Sequence, residues 1–393
     1  MNNFIPTKPF VPKLNQEQEV LEEDNIDTLL CFSHLRWNFV FQRPQHLMTR
    51  AAEKWRVFYI EEPVVSDTIT TPDMMVLKDN QNLLIVTPQF PRDYNSADYN
   101  PALENMLAKL LIDFKIDNYG VWYYTPMALK FTLDLLPRVI VYDCMDELSA
   151  FRGAPHDLLA MESRLLNMAD LVFTGGNSLY EAKKNRHSHV YAFPSSIDKA
   201  HFMQARQELP EPADQEEIMH PRLGFYGVVD ERFDIELLRQ LAQRRPDWQF
   251  IIIGPVVKID YDTLPKNNNI HYLGMKSYQE LPVYLSGWDV ALLLFALNES
   301  TRYISPTKTP EYLAAFKPVV STPIQDVVVP YEGLGLVSIA DNPFTFETAI
   351  EDYLENNDMT EWEKKVESFL ATNSWDITWQ QMRHLMNQRI IIT

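Results

Sequence analysis

Short apolar runs alternate with helix-patterned segments twice along this chain, and no other feature restricts its fold as strongly. The first series reads TLLCFS from Thr28, a helix from Pro44 to Lys54, RVFYI, NLLIVT, a helix after Pro101, YGVWYY, RVIVYD, a helix ending at Ala169, and DLVFT. Apolar runs of strand length, each followed by a helix, make parallel strands joined by right-handed crossovers. A second series begins at RLGFYG and continues through a helix from Asp234, QFIIIG, NIHYLG, a helix from Gln279 to Ser286, DVALLLF, a helix around Glu311, KPVVST and GLVSI. It is about as long as one nucleotide-binding α/β domain requires. The chain has 393 residues, more than a single core usually supports, so two α/β domains with a cleft between them are expected.

The boundaries follow from composition. Residues 1–27 are polar and carry the acidic run Glu22, Glu23, Asp24, which reads as a flexible arm. Residues 28–206 then form the first domain. The stretch 207–221, QELPEPADQEEIMHP, mixes prolines with carboxylates, lacks a strand pattern and is the expected linker. Residues 222–373 form the second domain. The remaining segment, 374–393, is a last helix: Ser374 and Asp376 offer caps, and Trp375, Trp379, Met382 and Leu385 recur at near-helical spacing.

A net charge of −19 removes general nucleic-acid binding from consideration, because phosphate neutralisation needs clustered Lys and Arg. It still allows a small anionic ligand held by one or two cations and backbone N–H groups. It disfavours broad basic docking to membranes but leaves room for a peripheral contact. The two cysteines, Cys31 and Cys144, sit in apolar runs and read as free structural thiols of a reducing compartment. The start, MNNFIPTKPFVPK, has no apolar core of a signal peptide, and no later run approaches the roughly 18 apolar residues of a membrane span. A cytoplasmic protein without a transmembrane segment is expected.

The loop and helix NESTRYISPTKTPEYLAAFKPVVST, Asn298 to Thr322, lie between two buried strands, where open α/β sheets hold ligands. Pro310 suits a first helical position, and Ser305, Thr307 and Thr309 suit caps that leave N–H groups facing outward. Lys308 can supply a point charge to a diphosphate, and Glu311 can accept two hydrogen bonds from ribose hydroxyls. A solvated lysine and a helix-dipole carboxylate are the plainer readings. In GFYGVVDERFD, Gly224 and Gly227 bracket a strand end where missing side chains let backbone approach a ligand.

In the first series, FSHLRWNFVFQRPQHL is unusually rich in functional side chains for a connection: His34, Arg36, Trp37, Arg43 and His46. His34, at a strand end, suits a base or a donor, with a satisfied structural histidine as the alternative. Trp37 suits stacking on a sugar ring or covering the core. The strand VIVYDCMDELSAF ends in Asp143, Asp146 and Glu147; Asp143 or Asp146 is the preferred base, with helix capping as the alternative. LVFTGGNSLYEAK places Gly175 and Gly176 at a helix start able to present N–H groups to an anion.

The segment SPTKTPEYLAAFKPVVST resembles the donor-binding segment of GT-B glycosyltransferases, and the H-x-R-W and Q-R-P-Q-H-L elements of the first loop resemble bacterial family-4-like members related to the teichuronic acid biosynthesis enzyme. The resemblance runs from about Thr28 to the last helix and implies two facing Rossmann-like domains with parallel sheets, the last helix crossing back to the first domain. It assigns the donor phosphates to Lys308, with Ser305 and Thr307 as further contacts or mere caps, the ribose to Glu311, and the neighbourhood of the diphosphate to Gly227. Many members carry a second glutamate eight residues before the ribose one; that place is read as Ile304, and Glu299 is a nearby carboxylate out of register. The basic residue usual just after the glycine is missing, and Lys258 is its candidate substitute. Arg36, Trp37, Arg43, His46, Gly175 and Gly176 then line the acceptor side of the cleft.

The expected function is transfer of a sugar from a nucleoside-diphosphate sugar to the hydroxyl of a saccharide or lipid-linked acceptor in cell-surface polysaccharide or glycoconjugate synthesis. No cofactor is expected beyond that substrate. No zinc or EF-hand spacing occurs, so no metal ligands are assigned. A non-catalytic sugar-nucleotide-binding protein on the same fold, or a sugar-nucleotide epimerase or hydrolase, are the competing functions.

Overall fold

The computed structural model describes residues 26–356 and 358–390. The arm expected over 1–27 therefore lies outside the described residues except for Ile26, which is buried, and Asp27, whose N–H donates to the Asn118 carbonyl at 3.1 Å. The chain divides into two compact units: residues up to Ser149, Gly153–Pro194 and Asp376 onward form the first, and Ala150–Arg152 with Ser195–Trp375 form the second.

The first unit is built on strands β1 (Thr28–Ser33), β2 (Arg56–Glu61), β3 (Val64–Ser66), β4 (Asp73–Lys78), β5 (Leu83–Pro91), β6 (Tyr119–Tyr123), β7 (Ile140–Cys144), β8 (Leu171–Thr174) and β9 (Val190–Ala192). Helices α1 (Arg43–Ala51), α2 (Tyr99–Asp113), α3 (Leu158–Met168) and α4 (Asn177–Lys183) connect them. The order is β3-β5-β2-β1-β6-β7-β8-β9, parallel throughout, with β4 pairing antiparallel to β5. Every residue of β1, β6 and β8 is buried, as parallel strands covered on both faces must be, and this is why they read as unbroken apolar runs. β4 keeps one side towards solvent, and β3 and β9 are three residues long, so none of them makes such a run.

A buried ion pair ties α1 to the centre of this sheet. Arg43, at the first position of α1, reaches across to Asp143 on β7: Nε lies 2.9 Å from Oδ2 and Nη2 lies 2.9 Å from Oδ1, while Nη1 donates to the Phe193 carbonyl at 2.7 Å. Asp143 has no exposed surface, and Arg43 almost none. Burial pushes the Asp143 carboxyl up, and the guanidinium opposes that shift. Asp143, expected as a base, and Arg43, expected in the cleft, are thus structural partners one hundred residues apart.

The second unit contains α5 (Lys199–Phe202), β10 (Arg222–Tyr226), α6 (Ile235–Arg244), β11 (Gln249–Ile253), β12 (Ile270–Gly274), α7 (Leu281–Ser286), β13 (Val290–Leu293), α8 (Lys308–Ala314), β14 (Val319–Ser321), α9 (Gln325–Tyr331), β15 (Ser338–Ile339), α10 (Pro343–Glu355) and α11 (Thr360–Leu370). Its strands are all parallel in the order β12-β11-β10-β13-β14-β15. Caps fix the helix starts: Asp234 accepts from the Leu237 N–H at 2.9 Å, and Asn342 from the Phe344 and Thr345 N–H groups at 3.0 and 3.1 Å. In both units the first strand lies inside the sheet, and the order reverses beside it, between β1 and β6 and between β10 and β13. The carboxyl ends of such strand pairs are where open α/β sheets bind ligands.

The segment expected as a linker, 207–221, lies wholly inside the second unit, which already starts at Ser195. The buried Arg222 gathers it, bonding Glu211 at 2.6 Å and the carbonyls of Ile218 and Glu216 at 2.6 and 3.2 Å. Gln215 is fully buried, accepting from Trp288 Nε1 at 3.0 Å and donating to the Tyr284 carbonyl at 3.1 Å. The carboxylate and carbonyl acceptors that make this segment look loose in sequence are what the arginine requires.

The last helix, α12 (Trp375–Ile390), counts with the first unit from Asp376 onward. Trp379 meets the rings of Trp55 and Trp122 at 5.5 and 6.3 Å, and Asp376 pairs with Arg50 at 2.6 Å. Among the described residues no helix is long and apolar enough to cross a membrane.

Two outcomes are expected from urea unfolding of the full chain. Arg43→Ala leaves a buried carboxylate unpaired and lowers stability by about 3–5 kcal/mol, whereas replacing both Arg43 and Asp143 with apolar residues of similar volume costs less than the single change. Trp379→Ala removes a buried indole and costs about 3–5 kcal/mol.

Candidate functional site

The second unit's site forms where β10 and β13 end. Gly227 follows β10 with φ of 137°, and a Cβ added there would lie 2.2 Å from Lys308 Cε and 2.6 Å from its Nζ. Only glycine leaves room for the lysine stem to cross the backbone at this point. Gly254, after β11, has the same φ, and its added Cβ would lie 1.9 Å from the Gly227 carbonyl oxygen. Gly224 answers to packing instead: its missing side chain makes way for the Trp288 indole, whose nearest atom would lie 2.0 Å from an added Cβ. The expectation that Gly224 clears backbone for a ligand is therefore corrected.

Glu311 lies one turn into α8 and is buried. It accepts a hydrogen bond from the Tyr226 hydroxyl, and the Tyr226 N–H donates to the Tyr312 hydroxyl at 3.1 Å. The two tyrosine rings meet edge to face at 4.9 Å, so the carboxylate is oriented from the end of β10. Burial raises the Glu311 carboxyl to about 7, opposed by the Tyr226 hydrogen bond and the Lys308 charge. Burial lowers the Lys308 ammonium to about 8, with the Glu311 charge acting against the shift. Arg232 also lowers Lys308 and Asp230 raises it, which puts both within electrostatic reach.

Arg232 is a cation missed in the sequence because it does not stand directly after Gly227, where the motif would have one. It forms a fork with Asp230, 2.7 Å from Nη2 to Oδ2, and its guanidinium lies 5.2 Å from the Phe151 ring. Lys258 lies 5.6 Å from that same ring and is exposed. Its φ of 62° is rare for a residue with a side chain, and the segment ahead of it is held by pairing between Val229 and Val256. Arg232 and Lys258 thus share Phe151 as a neighbour.

The other expected donor residues are placed differently. Helix α8 begins at Lys308, with Thr307 at the cap and no side-chain cap bond, so Pro310 occupies the third position rather than the first. Proline is tolerated there because that N–H would lack an intrahelical partner anyway. The Thr309 hydroxyl is buried with no partner among the described residues. The Ser305 carbonyl accepts from Ser195 Oγ at 2.8 Å. Glu299 is exposed, 3.9 Å from Arg302, and no contact brings it to Lys308 or Glu311. Ile304 is buried in the apolar core and faces no ligand; eight residues ahead of Glu311 stands Tyr303, which is partly exposed.

In the first unit, the loop after β1 is anchored by Glu61, which sequence reasoning missed because it ends an otherwise apolar strand. Glu61 accepts from the Trp37 N–H at 2.8 Å, from Arg36 at 3.1 Å and from the Thr87 hydroxyl at 2.9 Å. Trp37 is buried, its ring 5.0 Å from Tyr59 and its indole N–H 3.2 Å from Asp79, so it covers the core rather than a sugar. His46 is buried against Phe41 at 4.7 Å. His34 and Asp146 remain partly exposed at the ends of β1 and β7, while Glu147 is paired with Lys183 at 2.7 Å.

The two-glycine turn serves packing. The Gly175 N–H donates to the Cys144 carbonyl at 2.9 Å, and an added Cβ would lie 2.3 Å from the Met145 carbonyl oxygen. Gly176 caps α4 in extended conformation. Both cysteines are free and buried. Among the described residues no group of three or more His, Cys, Asp or Glu side chains is arranged to hold a metal ion.

No family model matches the chain. Over 271 residues it is 23% identical to a protein of Bacillus subtilis (strain 168) named for a role as teichuronic acid biosynthesis glycosyltransferase, TuaH; the match covers 62% of this chain and 65% of that protein. The chain thus spans just under two thirds of the length of its curated relative. Among solved structures it is similar to sucrose-phosphate synthase from Thermosynechococcus elongatus, with a TM-score of 0.67, 16% identity and coverage of 93% of this chain and 100% of that one. A UDP-forming trehalose-phosphate synthase from Burkholderia xenovorans gives a TM-score of 0.66 at 12% identity, covering 92% and 98%. An E. coli structure described as trehalose-6-phosphate bound with UDP-2-fluoro glucose gives 0.64 at 12%, covering 93% and 98%. The parallel α/β fold read from the sequence is the one observed, and it is the fold of the GT-B glycosyltransferases.

Proposed function

We propose that the protein is a glycosyltransferase that takes its sugar from a nucleoside-diphosphate sugar held by the second unit and passes it to an acceptor hydroxyl held by the first. The observation that carries this reading is Lys308 lying across Gly227 beside the buried Glu311, at the point where the second sheet reverses. A diphosphate supplies the anion that a partly desolvated ammonium lacks, and two ribose hydroxyls supply donors to a buried carboxylate. Arg232 is a further cation within electrostatic reach of Lys308, and Lys258, which shares Phe151 with Arg232, would join it on the diphosphate. The relative named for teichuronic acid biosynthesis, and the solved structures named as UDP-forming or bound with a UDP-sugar analogue, support the same reading; the first of these alone favours a role in polysaccharide synthesis.

For the chemical step, the bond from the anomeric carbon to the donor phosphate breaks as the acceptor oxygen bonds to that carbon, and the nucleoside diphosphate leaves. Lys308 and its neighbouring cations hold the charge that develops on the leaving diphosphate. Asp146 or His34 would receive the acceptor proton, since both keep access to solvent where Asp143 does not. A lipid-linked saccharide is one acceptor of this chemistry.

Thermal stabilisation of the full chain by UDP, GDP, dTDP and ADP tests the donor site. One nucleotide at one hundred times its Kd should stabilise by about 2.7 kcal/mol, with Lys308→Ala and Glu311→Ala losing that response. No response to any nucleotide would sink the assignment. Affinity for the matching nucleotide sugar should be greatest between pH 7 and 8, set by the values of about 7 for Glu311 and about 8 for Lys308. Above that window Lys308 is neutral in the empty protein, so anion affinity falls as pH rises; below it Glu311 is protonated and accepts less well from ribose. Lys308→Arg should remove the alkaline fall, which calorimetric titration across pH would read.

A further inference from the structure

We propose that a pocket of the first unit, at the carboxyl ends of β1, β2 and β6, binds the acceptor and selects an uncharged saccharide ring over a sugar phosphate; this rests on the transferase reading above. The cavity measures about 290 Å³. That is at the lower end of the roughly 300–1,000 Å³ usual for ligand pockets, room for one hexose-sized ring. Buried Phe32 and Leu103 line it together with Phe131, while Asn100 and Glu62 are exposed and mark its open side. Tyr99 also lines it, its ring stacked on Phe90 at 3.9 Å and 9°, so its hydroxyl is carried on a fixed support. Apolar and aromatic surface beside a hydroxyl, an amide and a carboxylate suits the alternating C–H and O–H faces of a sugar.

Position is the second ground. The first sheet reverses between β1 and β6, as the second does between β10 and β13. The pocket includes Phe32 and Ser33 from the end of β1, Glu61 from the end of β2 and Thr125 just past β6. It therefore occupies in the first unit the place that Lys308 and Gly227 occupy in the second.

Charge selects the occupant. The Glu61 carboxylate is satisfied by Arg36, Thr87 and the Trp37 N–H, and Lys130 is paired with Asp157 at 2.7 Å. Arg36 reaches the Glu62 carbonyl at 2.5 Å, and among the described residues the Glu62 carboxylate has no ion pair. Burial pushes the Glu62 carboxyl up and the Arg36 guanidinium opposes that shift; with Glu62 ionised, the charges of Arg36, Glu61, Glu62, Lys130 and Asp157 leave one negative charge over. A phosphate group here would face Glu62 with no unpaired cation among the lining residues, whereas a neutral sugar can donate its hydroxyls to that carboxylate.

Saturation-transfer NMR on the full chain tests this with glucose, galactose, mannose and N-acetylglucosamine and with the 6-phosphate of each. At least one neutral sugar should bind, with its 6-phosphate weaker by about tenfold or more. Asn100→Trp, at an exposed position of α2, should close the mouth and weaken the neutral sugar by about tenfold or more, leaving thermal stabilisation by nucleotide unchanged. Glu62→Lys should narrow or invert the preference. Equal or tighter binding of the 6-phosphate, unchanged sugar binding in Asn100→Trp, or no sugar binding in the wild type would each overturn the proposal. Nucleotide stabilisation of the same samples reads the transferase assignment separately, because its loss in the wild type sinks that reading whatever the sugars do.

Discussion

The contact between the bare α-carbon of Gly227 and the stem of Lys308 is the constraint on which the second unit's site depends. Gly254 closes on the Gly227 carbonyl, Gly227 admits Lys308, and the lysine opens the helix that carries Glu311. Each step is a backbone approach that a single methyl group would prevent, so the ammonium is located by main chain rather than by a flexible side-chain partner. The Tyr226 side chain, one residue before the glycine, then sets the carboxylate. A few residues at the end of one strand thereby place both charged groups of the site.

Two buried carboxylates show how structural and binding charges differ in this molecule. Asp143 and Glu311 are both pushed up by burial. Asp143 receives three close guanidinium contacts from Arg43, and its charge is satisfied within the protein. Glu311 receives one phenolic hydroxyl, and among the described residues it forms no ion pair with Lys308 although each senses the other's charge. Lys308 moves towards neutrality from the opposite side. A lysine at about 8 and a carboxyl at about 7 are two opposite charges whose ionisation burial disfavours, and on the proposed reading a ligand bearing both an anion and hydroxyls would stabilise both.

What the sequence made legible follows from how local each signal is. Strands buried on both faces are continuous apolar runs, so TLLCFS, YGVWY and LVFT announce themselves, whereas DMMVLK, with one side in water, does not. Lys308 and Glu311 share one turn of helix and stand in a motif readable as a unit. Arg43 and Asp143 meet from one hundred residues apart, and no spacing encodes that pair. Trp37 and Arg36 are functional residue types in a loop, but the glutamate that anchors them lies on the next strand. The segment 207–221 has the composition of loose chain, and only the position of Arg222 shows that its acceptors are used. Arg232 follows Gly227 by several residues, and only the folded loop brings its charge to Lys308.

On the transferase reading proposed above, burial and pairing leave few candidates for a base in the first unit. Of the groups at its strand ends, Asp143 is locked under Arg43, and Glu147 is tied to Lys183, which Glu162 also holds at 2.6 Å. Arg186 completes that cluster from the other oxygen of Glu162. These carboxylates are engaged with cations whose own burial depends on them, and withdrawing one to accept a proton would leave a buried positive charge behind. Asp146 and His34 are partly exposed, unlike Asp143; Glu147, though partly exposed as well, is held by the buried Lys183. Asp146 and His34 lie just past the ends of different strands, β7 and β1, on either side of β6, and the pocket at the ends of β1, β2 and β6 is lined by Ser33, the residue before His34. If an acceptor sits in that pocket as proposed, His34, next to the lining residue Ser33, would be the candidate proton acceptor rather than Asp146.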